Sequence, residues 1–98
     1  MRPLTLDLSR EDRRPYFLWD EDVSVGELKK RLAGPDLYER RRLLGKLLRE
    51  ACDIDVWEFV TPAEVARELP AVRHRLGRRL RFWEFLIQGW ERLGILAR

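Results

Sequence analysis

The stretch Asp36 to Ala51, DLYERRRLLGKLLREA, constrains this chain more than any other. Leu37, Leu44, Leu47, Leu48 and Ala51 recur at helical spacing, and Leu43 widens the stripe. Glu39, Arg40, Arg42, Lys46, Arg49 and Glu50 fall off it. Asp36 can cap the first turn, and Glu39 three residues on completes a capping box. A helix with a single apolar face must bury that face. The rest of the chain therefore has to supply the surface that covers it.

The nearest such surface comes just before. Ser24-Val25-Gly26-Glu27 is a second capping box, and Val25, Leu28 and Leu32 make a stripe behind it. Gly34-Pro35 ends that helix, glycine being able to take a left-handed cap and proline unable to continue. Two helices joined this closely form an antiparallel hairpin. The run ELKKRLAGPDLYERRRLLGKLL, about a quarter of the chain, resembles one unit of a HEAT-type helical repeat. A single unit cannot bury itself, so later helices must complete the core.

Those later helices are signalled in turn. Asp53 or Asp55 can cap a short helix running through Val60, over VWEFV. Thr61-Pro62-Ala63-Glu64 combines a threonine cap, a proline at the first helical position and a closing glutamate. Val65, Ala66 and Leu69 give it a narrow apolar face, and Pro70 is expected to end or kink it. Ala71 to Leu80 can add a turn or two, with Val72, Leu76 and Leu80 four apart and Gly77 weakening the pattern. The last helix is expected from Leu80 to Leu93. Trp83, Leu86, Ile87, Trp90 and Leu93 form its buried stripe, Phe82 and Phe85 flank it, and Gly94 caps it. Ile95 and Leu96 are expected to tuck under the bundle. The fold class is all-α, a compact bundle of four to five short helices containing the HEAT-like hairpin.

The N-terminus differs from all of this. Leu4, Leu6 and Leu8 alternate with Thr5 and Asp7, but no second clear strand offers a pair. Leu4 to Leu8 could form a short strand, but residues 1–15 are expected to be an extended or mobile arm, with SREDRRP as a mobile link, and residues 16–98 a single helical domain. Tyr16 to Trp19, YFLW, is too short for a helix and reads as an anchor for the core, or else as an exposed aromatic patch.

Composition narrows the function. Ninety-eight residues suffice for one core without disulfides or metal. No apolar run approaches the roughly 18 residues of a membrane span, and the first residues lack the apolar core of a signal peptide. The single cysteine, Cys52, cannot form an internal disulfide, so a cytoplasmic protein is expected. The net charge of +3 is unevenly spread. Residues 70–98 carry seven basic and two acidic groups, while residues 35–69 carry six and eight. Arginine supplies 17 of the 20 basic residues, a bias that suits phosphate, carboxylate or simply a solvated face.

No catalytic motif emerges. The one histidine, His74, sits between Arg73 and Arg75 without metal-ligand spacing. Cys52 has acidic neighbours at Glu50 and Asp53 and reads as a small buried hydrophobe. The six glycines are scattered and form no phosphate loop. Asp20, Glu21 and Asp22 lack the glycine turn and distal glutamate of a calcium loop. The chain is thus expected to be no enzyme and to need no cofactor or metal. Arg75, Arg78, Arg79 and Arg81 remain, and they share a patch if helix continues through Gly77. Such a patch suits an acidic protein surface, or alternatively nucleic-acid phosphates.

Pro15-Tyr16-Phe17-Leu18-Trp19-Asp20, the later Val-Gly-Glu-Leu-Lys-Lys-Arg-Leu and Asp55-Val56-Trp57-Glu58-Phe59-Val60-Thr61-Pro62 together resemble a group of small uncharacterised bacterial proteins. These are encoded beside nucleotidyltransferase-like proteins of the abortive-infection type. The resemblance spans residues 15–93 loosely and implies a non-catalytic protein partner or antitoxin. The expected contact residues are Leu4, Leu6, Leu8, Tyr16, Phe17, Trp19, Arg75, Arg78, Arg79 and Arg81. The expected partner is a protein, whether nucleotidyltransferase-like or a second copy, with no membrane involved.

Overall fold

In the computed structural model, which describes residues 1–96, the helical signals become five α-helices and the arm becomes part of a small sheet. The order is β1 (Leu4–Thr5), β2 (Arg14–Pro15), α1 (Val25–Leu32), α2 (Leu37–Glu50), α3 (Asp53–Val56), α4 (Pro62–Val72), a 3-10 turn (Arg73–Arg75) and α5 (Arg79–Arg92). All three cap side chains bond the N–H three residues on, while Glu27 and Glu39 turn to Arg2 and Arg42 instead of back to their caps. Ser24 Oγ accepts from Glu27 N at 3.1 Å, Asp36 Oδ1 from Glu39 N at 3.1 Å, and Thr61 Oγ1 from Glu64 N at 3.2 Å. Each is worth about 1 kcal/mol to its helix.

Helix α2 is the centre. It packs against α1, α3, α4, the 3-10 turn and α5, and its Leu43, Leu44, Leu47 and Leu48 are buried. Val25 and Leu28 meet them from α1, Val65, Leu69 and Val72 from α4, and Trp83 and Ile87 from α5. Leu37 departs from the expected stripe and stays exposed, because it opens α2 just where the Gly34-Pro35 break has ended α1. Gly34 keeps a negative φ, so α1 closes on Ala33 rather than on a left-handed glycine.

The arm and its link are folded, against the expectation of a mobile connection. β1 pairs in parallel with β2, Leu4 opposite Arg14 and Thr5 opposite Pro15. The link is held because it satisfies helix α1. Val25 N donates to Arg13 O at 2.8 Å and Gly26 N to Glu11 O at 3.1 Å, two N–H groups that have no partner inside their own helix. Arg14 is buried without a carboxylate; its guanidinium donates to the carbonyls of Arg2 (2.5 Å), Leu18 (3.3 Å) and Trp19 (3.1 Å). It thereby clamps the arm to the YFLW segment.

Later in the chain the helices also depart from expectation. Helix α3 stops at Val56, with Cys52 rather than an aspartate side chain at its start, and Cys52 is exposed rather than buried. Helix α4 runs through Pro70 to Val72. Pro70 lies on the exposed side, where the one missing hydrogen bond disturbs no packing. The helix does not continue through Gly77, whose φ of +53° turns the chain before α5 begins. At the far end Gly94 (φ +75°) closes α5 as expected: Gly94 N donates to Glu91 O and Ile95 N to Trp90 O. Leu96 packs against the core, but Ile95 points away. No helix among the described residues is long and apolar enough to cross a membrane.

A chain of ion pairs wraps the hairpin. It runs from Asp22 through Arg2, Glu27, Arg31, Glu39, Arg42, Glu21 and Lys46 to Asp20. Arg42 donates to both Glu21 oxygens at 3.0 Å. These bonds, partly offset by burial and helped by Lys46, hold the Glu21 carboxyl far down, at about 2. Arg42 rises in answer, chiefly through its bonds to Glu39 and Glu21. Burial alone would lower the Lys46 ammonium, but its pairs with Asp20 and Glu21 outweigh that and raise it.

Candidate interaction surface

The expected contact residues separate into structural and surface groups. Leu8 and Phe17 are in the core; the turn at Asp7, whose carboxylate accepts from Ser9 N and Oγ, swings Leu8 inward. Tyr16 is half-buried and committed to α3. Its hydroxyl accepts from Cys52 N at 2.8 Å and donates to Asp55 Oδ2 at 2.6 Å. Leu4, Leu6 and Trp19 remain exposed, Leu6 at 81% and Trp19 at 61%. The N-terminal face therefore offers three apolar side chains rather than six.

The arginines divide likewise. Arg75 lies in the 3-10 turn, across Gly45 of α2, with its guanidinium 5.7 Å from the Tyr38 ring centre. Arg79 lies over Phe82 at 4.8 Å, a cation–π contact within its own helix. Arg78 and Arg81 project into solvent at the start of α5. The turn at Gly77 thus separates Arg75 from the other three in sequence and in element.

A stronger surface feature lies on α5 itself. Trp83 and Ile87 are buried and Leu86 and Trp90 partly so, as expected. Leu93, assigned to the same stripe, is instead 75% exposed, and Phe85 is 71% exposed. With Phe82 these residues form a second apolar face turned away from the core. The signal was in the sequence: α5 carries Phe82, Trp83, Phe85, Leu86, Ile87 and Trp90 within three turns, and Leu93 follows directly, too many for one buried side.

The remaining concavities are modest. A groove of about 300 Å³ separates α4 from α5, lined by Ala66, Leu69, Pro70 and Ile87 and crossed by the Arg73–Glu84 ion pair at 3.4 Å. A notch of about 50 Å³ lies by Arg40 and Leu44. His74 is exposed in the 3-10 turn. Among the described residues no group of three histidine, cysteine or acidic side chains is placed to hold a metal ion. Compared with known proteins, the chain matches no family model, no curated protein and no solved structure.

Proposed function

We propose that this chain is a non-catalytic, cytoplasmic protein-interaction module, the partner or antitoxin of a nucleotidyltransferase-like protein. The observation that carries the reading is the exposed apolar face of α5, where Phe85 and Leu93 lie uncovered in one row with Phe82. The exposed Leu4, Leu6 and Trp19 offer a second, smaller contact. On this reading the α1–α2 hairpin is a single HEAT-like unit, completed by α4 and α5 instead of by further repeats.

Co-purification from the protein's own cell extract tests it. The wild-type chain should bring down a distinct protein, and Phe85→Ser should lose it while folding normally. Recovery of this chain alone, even as a homo-oligomer, sinks the proposal. A nucleotidyltransferase-like gene beside this one, and its product in the recovered material, would fix the partner.

A further inference from the structure

The outer face of α5 has a shape and a charge that restrict what can cover it. Phe82, Phe85, Gly89 and Leu93 follow at intervals of three, four and four, which places them in one row along the helix. A Cβ placed on Gly89 would meet nothing within 4 Å, so the row has a shallow notch between two projecting side chains. From Phe82 to Leu93 it extends about 16 Å, the length of three turns of a facing helix.

The rim of this row is positive. Arg78, Arg81 and Arg92 are exposed, and among the described residues none has a carboxylate within ion-pairing distance. The two acids of α5, Glu84 and Glu91, lie on its other side and line the groove against α4. The helix also begins without a side-chain cap or an acidic residue in its first turn, so the positive end of its dipole adds to the arginines.

Building on the interaction-module reading, we infer that α5 docks an acidic amphipathic helix of a partner protein, seated on Phe82, Phe85 and Leu93 with carboxylates meeting Arg81 and Arg92. Such an occupant covers the apolar row and supplies the missing counter-charges together. A second copy of this chain could cover the row with its own but supplies no counter-charge there. Antiparallel two-fold pairing would set the two arginine rims against each other, and parallel pairing would bring together two arginine-rich helix starts. A nucleic acid would meet the arginines and leave Leu93 uncovered.

The test uses the full chain and a labelled helical peptide bearing leucines at the spacing of the row and glutamates on both flanks. A twin peptide carries lysines in place of the glutamates. The glutamate peptide should bind and the lysine peptide should not, with affinity falling between about 50 and 200 mM salt. Phe85→Ser and Leu93→Ser, both at exposed positions, should each weaken binding about tenfold. Arg81→Glu with Arg92→Glu should reverse the preference between the peptides. Failure of the glutamate peptide to bind, or equal binding of both peptides, overturns the inference. So does a dimer that Phe85→Ser dissolves, or an RNA oligonucleotide that displaces the peptide. If a cellular partner is lost with Phe85→Ser but kept with the two charge reversals, the interaction module stands and the acidic-helix inference falls.

Discussion

Tyr16 and Trp83 divide between them the hydrogen bond that α2 would make if it went on for one more residue. Cys52 N would then reach Leu48 O; instead Cys52 N donates to the Tyr16 hydroxyl at 2.8 Å, and the Trp83 indole N–H donates to Leu48 O at 2.8 Å. Two residues 67 positions apart in the sequence thus terminate one helix and tie the N-terminal segment and α5 to it. Leu48 O is buried and would otherwise go without a partner, whereas Cys52 N belongs to an exposed residue. Tyr16→Phe should cost about 1–2 kcal/mol, and Trp83→Phe about 2–3 kcal/mol because packing is lost as well. With both changed, Cys52 N and Leu48 O are free to bond each other. The double variant should therefore cost less than the sum of the two, as measured by denaturant unfolding. Strict additivity would show that the two bonds are independent.

Alkaline pH probes the same hydroxyl. Burial, then the bond donated to Asp55, push the Tyr16 phenol up from 10 to about 12, against the opposing bond from Cys52. The folded state holds this proton more tightly than the unfolded state does. Its contribution is therefore complete below about pH 10 and disappears as pH rises from 10 to about 12. Unfolding free energies of wild type and Tyr16→Phe should converge by about 1–2 kcal/mol across that window. Parallel curves would show that the hydroxyl is not protected by the fold.

Acid acts on Glu21. Its carboxyl stands at about 2 in the folded protein, against an ordinary 4.5, chiefly because Arg42 donates to it. A depressed carboxyl stabilises the fold above its unfolded pKa, and that contribution is lost as pH falls from about 4.5 towards 2. Glu21→Gln should cost about 1–2 kcal/mol at neutral pH and should flatten the acid limb of the stability curve. Because the Glu21 side chain is only 20% exposed, the cost should persist in moderate salt, unlike that of the exposed Arg10–Asp12 pair. A loss that vanishes in salt would place Glu21 among ordinary surface charges.

What the sequence made legible follows from how local each signal is. The caps at Ser24, Asp36 and Thr61 involve residues three apart, and each cap side chain accepts from the expected N–H. The buried stripe of α2 was equally plain, since Leu43, Leu44, Leu47 and Leu48 lie on consecutive turns. The order of the arm was not, because the acceptors that hold it are backbone carbonyls of Glu11 and Arg13, which no side-chain pattern reveals. Parallel pairing of β1 with β2 is only two residues long and leaves no alternation in Arg14-Pro15. The candidate surface was half legible. The arginine excess near the C-terminus was visible, but Leu93 was assigned to the core because spacing alone does not say how far a neighbouring helix extends.

Gly45 and Gly89 make opposite predictions from the same residue type. Both lie inside helices, where replacing glycine by alanine ordinarily stabilises by about 0.5–1 kcal/mol. Gly89 is open, so Gly89→Ala should show that gain as a higher melting temperature. Gly45 is where the 3-10 turn crosses α2: a Cβ there would come within 2.7 Å of Arg75 Cδ and 3.0 Å of Arg75 Cβ. The Cβ is fixed to the backbone of the turn and cannot rotate away, so Gly45→Ala must push the turn outward and should destabilise by about 1–3 kcal/mol. Arg75→Ala removes the closer of the two contacts but not the Cβ. In that background the cost of Gly45→Ala should shrink without vanishing. Thermal unfolding of the four variants decides it, and a Gly45→Ala protein as stable as Gly89→Ala would mean that the turn does not sit against α2 this closely.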